Sequence, residues 1–213
     1  MVVSQIEKMG DWESCNTKDC SGGSGDGDFW MAANQSTPSL SGSSFELHNS
    51  GAWSNALWWN KFGAQDRATN FLWDFYFQVD DASTNAAQAL EFDVFQFLDG
   101  YNYMMGTQCD YGSALWELWD EADGKWVKTT VACPKFSPGV WHHVSWYTQR
   151  IAGATQYKFV TLVVDGTAYQ INQAYSARDL GWSANVGVQF QLDVNASGEG
   201  YEEWFDQATL TIW

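Results

Sequence analysis

Alternation of apolar and polar residues with a period of two is the feature that most constrains the fold of this chain. The segment 71–79 shows it most clearly, because every odd-numbered residue is aromatic or aliphatic while the even positions include Asp74, Tyr76 and Gln78. Successive side chains of a β-strand point to opposite faces, so this segment offers one face to a core and one to a polar environment. It therefore predicts a half-buried strand.

Similar segments recur along the chain and are separated by turn residues. The further predicted strands cover 89–97, 115–119, 126–131, 141–149, 157–164, 188–194 and 208–213. Between two of them, Asp165-Gly166 is a strong signal for a two-residue hairpin turn. About ten to twelve short strands without helical periodicity predict an all-β fold, a two-sheet antiparallel sandwich of the jelly-roll type. The 213 residues fit one such domain, 1–213, with a flexible Gly/Ser-rich loop at 21–28.

The charge of the chain excludes some partners. Ten Lys and Arg residues stand against 26 Asp and Glu residues, which gives a formal net charge of −16. Phosphate backbones would be repelled, so we expect no nucleic-acid partner. An anionic glycan would need clustered Lys or Arg side chains, which the sequence lacks. No apolar run approaches the roughly 18 residues of a membrane span, so we expect no membrane partner. We also expect the protein to be a monomer.

The four cysteines indicate the compartment. Cys15 and Cys20 are five residues apart in a polar loop, while Cys109 and Cys133 flank a predicted hairpin. These two local pairings are the simplest of the three connectivities that four cysteines allow. A metal site would need CxxC-type spacing or clustered histidines, and neither is present. Because disulfides form in oxidising compartments, the sequence predicts a secreted, extracellular protein.

Three predicted strands have a second face rich in carboxylates and carboxamides. Their polar residues include Asp74, Tyr76, Glu91, Asp93, Gln189, Gln191 and Asp193. Such rows beside aromatic residues are typical of surfaces that bind sugars, since hydroxyls pair with polar groups and pyranose rings stack on aromatic rings. An ordinary solvent-facing side of an antiparallel sheet is the alternative interpretation.

The fourteen tryptophans exceed what a core of this size needs, so we expect some indoles on a binding surface. Trp116 and Trp119 would point to opposite faces of a regular strand, and Trp116 is the indole that we assign to the ligand. The predicted ligand-binding residues are Asp74, Tyr76, Gln96, Gln189, Gln191 and Trp116.

The segment Glu91-Phe-Asp-Val-Phe-Gln96 contains the residues of this chain that are best suited to catalysis. Glu91 and Asp93 are two residues apart on one strand, so both point to the same face about 7 Å apart. Like charges at this distance push each other's pKa apart, so that one group stays ionised while the other holds a proton. Gln96 would reach the same face only if a bulge intervened. Such a pair of carboxyl groups suits glycoside hydrolysis.

This segment resembles E-x-D-x-x-E, the catalytic strand of family 16 laminarinase-type and family 7 cellulase-type glycoside hydrolases. The resemblance implies a concanavalin A-like jelly roll with a sugar cleft, Glu91 as nucleophile and Asp93 as assisting carboxylate. Gln96 stands where those families place the general acid/base, and glutamine cannot protonate a leaving oxygen. Asp193 on a late strand is the best substitute, as the acid of family 12 endoglucanases lies on a late strand. Glu-Phe-Asp also resembles the metal-binding strand of legume-type lectins, although no histidine follows closely here.

These observations predict a secreted carbohydrate-recognition domain that binds a neutral, β-glucan-like polysaccharide in a groove on one sheet. No cofactor is required; a structural calcium ion at Glu202, Glu203 and Asp206 is the alternative to a solvated acidic loop. One alternative function is a retaining endo-β-glycosidase with Glu91 as nucleophile and Asp193 as acid/base. Another is a protein-interaction domain with a flat apolar surface.

Overall fold

The computed structural model describes all residues 1–213 and is built almost entirely of β-strands. The strands are β1 Val2–Ser4, β2 Glu13–Cys15, β3 Phe29–Gln35, β4 Ser44–Asn49, β5 Asn55–Lys61, β6 Asn70–Val79, β7 Ala87–Leu98, β8 Gly100–Met105, β9 Thr107–Asp110, β10 Leu115–Asp120, β11 Lys125–Ala132, β12 His142–Arg150, β13 Gln156–Val164, β14 Thr167–Ser176, β15 Arg178–Trp182, β16 Asn185–Val194 and β17 Tyr201–Ile212. The helices are a 3-10 turn at Ile6–Lys8, α1 Lys18–Ser21 and α2 Ser83–Ala86.

The strands form two antiparallel sheets. The first, named here the β6 sheet, has the order β14-β13-β12-β6-β17-β4-β3, and β1 pairs with β17. The second, the β7 sheet, has the order β11-β10-β9-β7-β16-β5-β2; β8 also pairs with β7, and β15 pairs with β8. The sheets pack face to face, so each has an inner face towards the core and an outer face.

The core between the sheets is largely aromatic. Phe75 of β6 lies 4.9 Å from Phe92 of β7 between ring centroids, and Phe190 of β16 lies 3.7 Å from Phe205 of β17. Four indoles are also almost completely buried: Trp58, Trp73, Trp116 and Trp146. The alternation in the sequence therefore predicted an all-β sandwich correctly, because its apolar faces are the inner faces of the two sheets.

The predicted hairpin turn at Asp165-Gly166 joins β13 to β14, and both turn residues have positive φ angles, 47° and 79°. Strands β1 to β5, β8, β9 and β15 were not predicted. The segment 21–28 leads into β3 and lies against the turn between β4 and β5. A Cβ atom added at Gly25 would lie 1.8 Å from the carbonyl oxygen of Ala52, so this close approach needs a glycine.

Both predicted disulfides are confirmed. The Cys15–Cys20 bond ties β2 to α1, and the Cys109–Cys133 bond ties β9 to the residue that follows β11. Four cysteines paired in this way fit a protein from an oxidising compartment. None of the helices has the length and apolar character that a membrane crossing requires.

Candidate functional site

A cleft of about 520 Å³ opens on the outer face of the β7 sheet, and the carboxyl groups of β7 and β16 line its floor. The two strands pair without a register shift from Asn185 to Asp193, which sets Gln191 opposite Glu91 and Gln189 opposite Asp93. Regular alternation therefore carries these four side chains to the same outer face. The alternation in both strands predicts one polar surface for these residues, and the structure brings them together.

The two floor acids of β7, Glu91 and Asp93, pair with carboxamides of the neighbouring strand β16. Gln191 Nε2 donates a hydrogen bond to Glu91 Oε2 at 2.7 Å, and Gln189 Nε2 donates to Asp93 Oδ2 at 2.5 Å. The backbone N–H of Thr107 donates to the other oxygen of Asp93 at 2.8 Å. Asp193 differs: it also lines the cleft and is only 4% exposed, but its Oδ1 is buried without a hydrogen-bond partner.

No cation accompanies these acids on the floor, and their protonation reflects this. Burial raises the pKa of Glu91 well above its usual range, and the nearby Asp93 and Asp193 raise it further. Burial raises the pKa of Asp93 to about 6, where hydrogen bonds to its carboxylate limit the rise. Burial raises the pKa of Asp193 to about 8. Near neutral pH the floor therefore combines a largely ionised Asp93 with a protonated Asp193.

One wall of the cleft consists of polar side chains that the sequence analysis missed. On β9 and β10, Gln108 Nε2 donates a hydrogen bond to Glu117 Oε2 at 2.8 Å. Trp119 Nε1 donates to Glu121 Oε2 at 2.6 Å. Alternation in 115–119 could have indicated this wall, because Glu117 and Trp119 share a face opposite to Trp116 and Leu118.

The adjoining part of the cleft, about 740 Å³, is aromatic. Phe95 and Phe97 stack with their centroids 4.8 Å apart, and the half-exposed Trp182 meets Phe97 edge-on at 4.8 Å. Gly187, opposite Phe95 on β16, leaves room for the phenyl ring: a Cβ atom there would lie 2.3 Å from Phe95 Cζ. The cleft thus joins a polar half to an aromatic half.

Asp74 and Tyr76 do not belong to this site, so their assignment was wrong. They lie on β6, on the outer face of the opposite sheet, where Asp74 Oδ2 is 2.9 Å from His143 Nε2. The Tyr76 ring packs on the His143 ring at a centroid distance of 4.7 Å. Alternation shows which residues of a strand share a face, but not the sheet to which that strand belongs.

Gln96 and Trp116 were also assigned wrongly, since both point inwards. No bulge interrupts β7 between Asp93 and Gln96, so Gln96 turns to the inner side, where it accepts a hydrogen bond from Arg150 Nε at 2.7 Å. The outward position after Asp93 is occupied by Phe95 instead. Trp116 is fully buried in the core, and Trp119 is the indole of that strand that lines the cleft.

The acidic residues near the C-terminus are not gathered around a common point. Asp206 Oδ2 accepts hydrogen bonds from the backbone N–H groups of Leu40 and Ser41 at 2.6 and 3.0 Å. Glu203 is buried in the core, and Glu202 lies beside His48. No group of three or more His, Cys, Asp or Glu side chains is arranged to hold a metal ion.

Comparison with solved structures identifies the architecture. The cellulose-induced protein Cip1 superposes with a TM-score of 0.57 over 94% of this chain and 90% of its own, at 10% identity. The alginate lyase Aly36B gives a TM-score of 0.54 over 93% and 96%, at 13% identity. The fold is a two-sheet antiparallel β-sandwich of the jelly-roll type. At such low identities the likeness extends to the fold alone.

Sequence comparisons add nothing to this likeness. No protein-family profile matches the sequence, and no curated protein matches it either. Because one fold can serve many functions, the function of this protein depends on the residues of the cleft.

Proposed function

We propose that the cleft on the β7 sheet binds a saccharide chain, with a β-glucan-like backbone as its ligand. The observation that carries the proposal is the meeting, in one cleft, of the pairs Glu91–Gln191 and Asp93–Gln189 with exposed aromatic rings. The names of two proteins that share the fold, a cellulose-induced protein and an alginate lyase, also refer to polysaccharides.

The polar half of the cleft suits sugar hydroxyl groups. Each carboxamide of the floor uses one N–H on its carboxyl partner and retains a second N–H and a carbonyl oxygen for a ligand. A hydroxyl group both donates and accepts, so a row of carboxamides and carboxyls can bind successive hydroxyls along a ring. The cross-strand bonds hold these groups in place before the ligand arrives, which lowers the entropy cost of binding.

The aromatic side chains supply the apolar surface that a pyranose ring needs. Trp119 and Trp126 pack edge to face with centroids 5.2 Å apart beside the polar floor, and both are partly exposed. Trp182 stands at the aromatic half with about half of its surface exposed. The C–H face of a sugar can stack on these indoles while its hydroxyls meet the floor.

The charge of the cleft restricts the ligand to saccharides that are not anionic. Lys18 is the single cationic residue that lines the polar half, against several carboxyl groups. A uronic acid or a sulfate ester would meet no guanidinium or imidazole there. The two disulfides support export, and we propose that the protein meets its glycan outside the cell.

Binding is favoured over cleavage by the state of the carboxyl groups. A nucleophile has to be ionised, whereas the pKa of Glu91 is raised and Asp93 is 1% exposed with both oxygens in hydrogen bonds. The next outward residue of β7 after Asp93 is Phe95, which cannot donate a proton, and Gln96 points inwards. A polar cleft also disfavours a flat protein-interaction surface.

The test is isothermal titration calorimetry with cello-, laminari- and xyloglucan oligosaccharides, beside an assay for new reducing ends. We expect saturable binding without new reducing ends. Reducing ends that disappear in Glu91→Gln would show an endo-glycosidase instead. If neither binding nor cleavage is observed, the floor is an ordinary solvent-facing side of a sheet. That outcome would overturn the proposal.

A further inference from the structure

The cleft gathers more acidic than cationic groups: Lys18 is the single cationic residue of its lining, and Arg178 acts on Glu121. Its lining includes three buried carboxyl groups, those of Glu91, Glu121 and Asp193. Two more buried acids, Asp93 and Glu117, accept hydrogen bonds from the lining residues Gln189 and Gln108. Four of these five acids accept hydrogen bonds from neutral donors, such as the Gln108 amide on Glu117 and the Trp119 indole on Glu121. Neutral donors orient these carboxyls but leave their charge uncompensated.

Asp193 is the one acid of this set with a buried oxygen, Oδ1, that has no hydrogen-bond partner, although the nearby Gln191 amide lowers the pKa of its carboxyl group. Its side chain is 96% buried in the cleft lining, and its Oδ1 has no hydrogen-bond partner. Its cross-strand neighbours are Ala89 on β7, which has no donor in its side chain, and Asn55 on β5. Buried polar atoms in folded proteins are nearly always paired, so this oxygen indicates a donor that arrives with the ligand.

The missing donor should also be a cation. A hydroxyl group would supply one proton and no charge, whereas an ammonium group supplies three N–H donors and a positive charge. The surrounding groups do not supply that charge: the ionisable groups near Asp193 are Glu91, Asp93 and Asp110, all acidic. Hydrogen bonds between an ammonium and a carboxylate are about twice as strong as neutral ones.

We propose that the preferred ligand of the cleft is an amino sugar chain of the unacetylated glucosamine type, with an ammonium group beside Asp193 and its pyranose rings along the indoles. The inference rests on the proposed saccharide-binding function and specifies the substituent that the acidic half recognises. The raised pKa of Asp193, about 8, fits a carboxyl group that lacks its cationic partner. A bound ammonium would favour the ionised carboxylate and lower this pKa.

The test compares three oligosaccharides with the same β-1,4 backbone and length but different groups at C2: hydroxyl, acetamido and ammonium. The calorimetry is done at a pH near 6, which is about the pKa of Asp93. At this pH the amine of the ligand is protonated and part of the carboxyl groups of the cleft is ionised. We expect the glucosamine oligomer to bind at least about tenfold more tightly than the glucose oligomer, as for a charge-assisted hydrogen bond. The preference should decrease with added salt.

Asp193→Asn should remove this preference while glucose oligomers still bind. The matched control is Asp74→Asn, which makes the same substitution on the opposite face of the sandwich and should keep the preference. Thermal unfolding of each variant checks that it folds. Glu121→Gln, which changes an acid of the cleft lining, serves as a second variant and should also reduce the preference.

Equal or tighter binding of the glucose oligomer would overturn the inference while the proposed saccharide function stands. A glucosamine preference that survives in Asp193→Asn would also overturn it, because the attraction would then come from the overall charge of −16. Failure of all three oligomers to bind would overturn both proposals.

Discussion

Gln191 and Glu91 face each other across adjacent strands, and the amide of Gln191 donates a 2.7 Å hydrogen bond to Glu91 Oε2. Both residues are buried under the cleft, so the bond holds the floor in one arrangement. Gln191→Ala leaves the carboxyl of Glu91 without this donor. We expect the free energy of unfolding in urea to fall by about 1–3 kcal/mol. Gln170→Ala, at an exposed position of β14, should change it by less than about 0.5 kcal/mol.

The floor acids make stability depend on pH in a defined direction. The pKa values of Asp93 and Asp193 are raised to about 6 and about 8, and that of Glu91 is raised as well. The folded state therefore holds more protons than the unfolded state, and its stability falls as the pH rises from the unfolded pKa through these values. Urea unfolding should show greater stability near pH 5 than near pH 8. Asp193→Asn should flatten the upper part of this profile; an unchanged profile would contradict the assignment.

Trp182 offers a direct probe of the aromatic half of the cleft. It is 49% exposed beside Phe97, while Trp213 is 55% exposed and stacks on Tyr147 of the other sheet. Trp182→Ala should weaken oligosaccharide binding by about tenfold in calorimetry, since a stacking platform is lost. Trp213→Ala removes an equally exposed indole away from the cleft and should leave the affinity unchanged. Equal losses in both variants would speak against the cleft as the binding site.

Gly187 permits the close approach of Phe95 to the neighbouring strand. An added Cβ atom would lie 2.2 Å from the carbonyl oxygen of Asn60 and 2.3 Å from the Phe95 ring. Gly187→Ala should therefore destabilise the protein by about 1–3 kcal/mol and displace the ring from the aromatic half. Gly10→Ala is the matched control, because nothing lies within 4 Å of its added Cβ atom. Unfolding curves that coincide for the two variants would show that β16 moves to accept the methyl group.

Glu203 is a buried acid with no role in the cleft. Neither of its carboxyl oxygens has a hydrogen-bond partner, and burial raises its pKa well above the usual range. Glu203→Leu replaces an unpaired polar group by an apolar side chain of similar size. We expect the free energy of unfolding to rise by about 1–3 kcal/mol at neutral pH, as measured in urea. A loss of stability would indicate a polar partner for Glu203.

The sequence by itself determined the class of fold and the faces of individual strands. Period-two alternation separates Phe75 from Asp74 and Glu91 from Phe92 whatever the tertiary structure, because neighbouring side chains of a strand point in opposite directions. The cysteine spacing likewise favoured the two local disulfides that the structure contains. Period-two alternation also places Glu117 and Trp119 on the same face of their strand.

Only the tertiary structure decided which strands share a sheet. Strand pairing joins segments about a hundred residues apart, as in the pairing of Glu91 with Gln191, and no local pattern encodes it. That pairing brought Asp193 to Glu91 and Asp93, and sent Asp74 and Tyr76 to the other side of the molecule. The absence of a bulge in β7, which turned Gln96 inwards, was decided by its pairing with β16, since register belongs to two strands together.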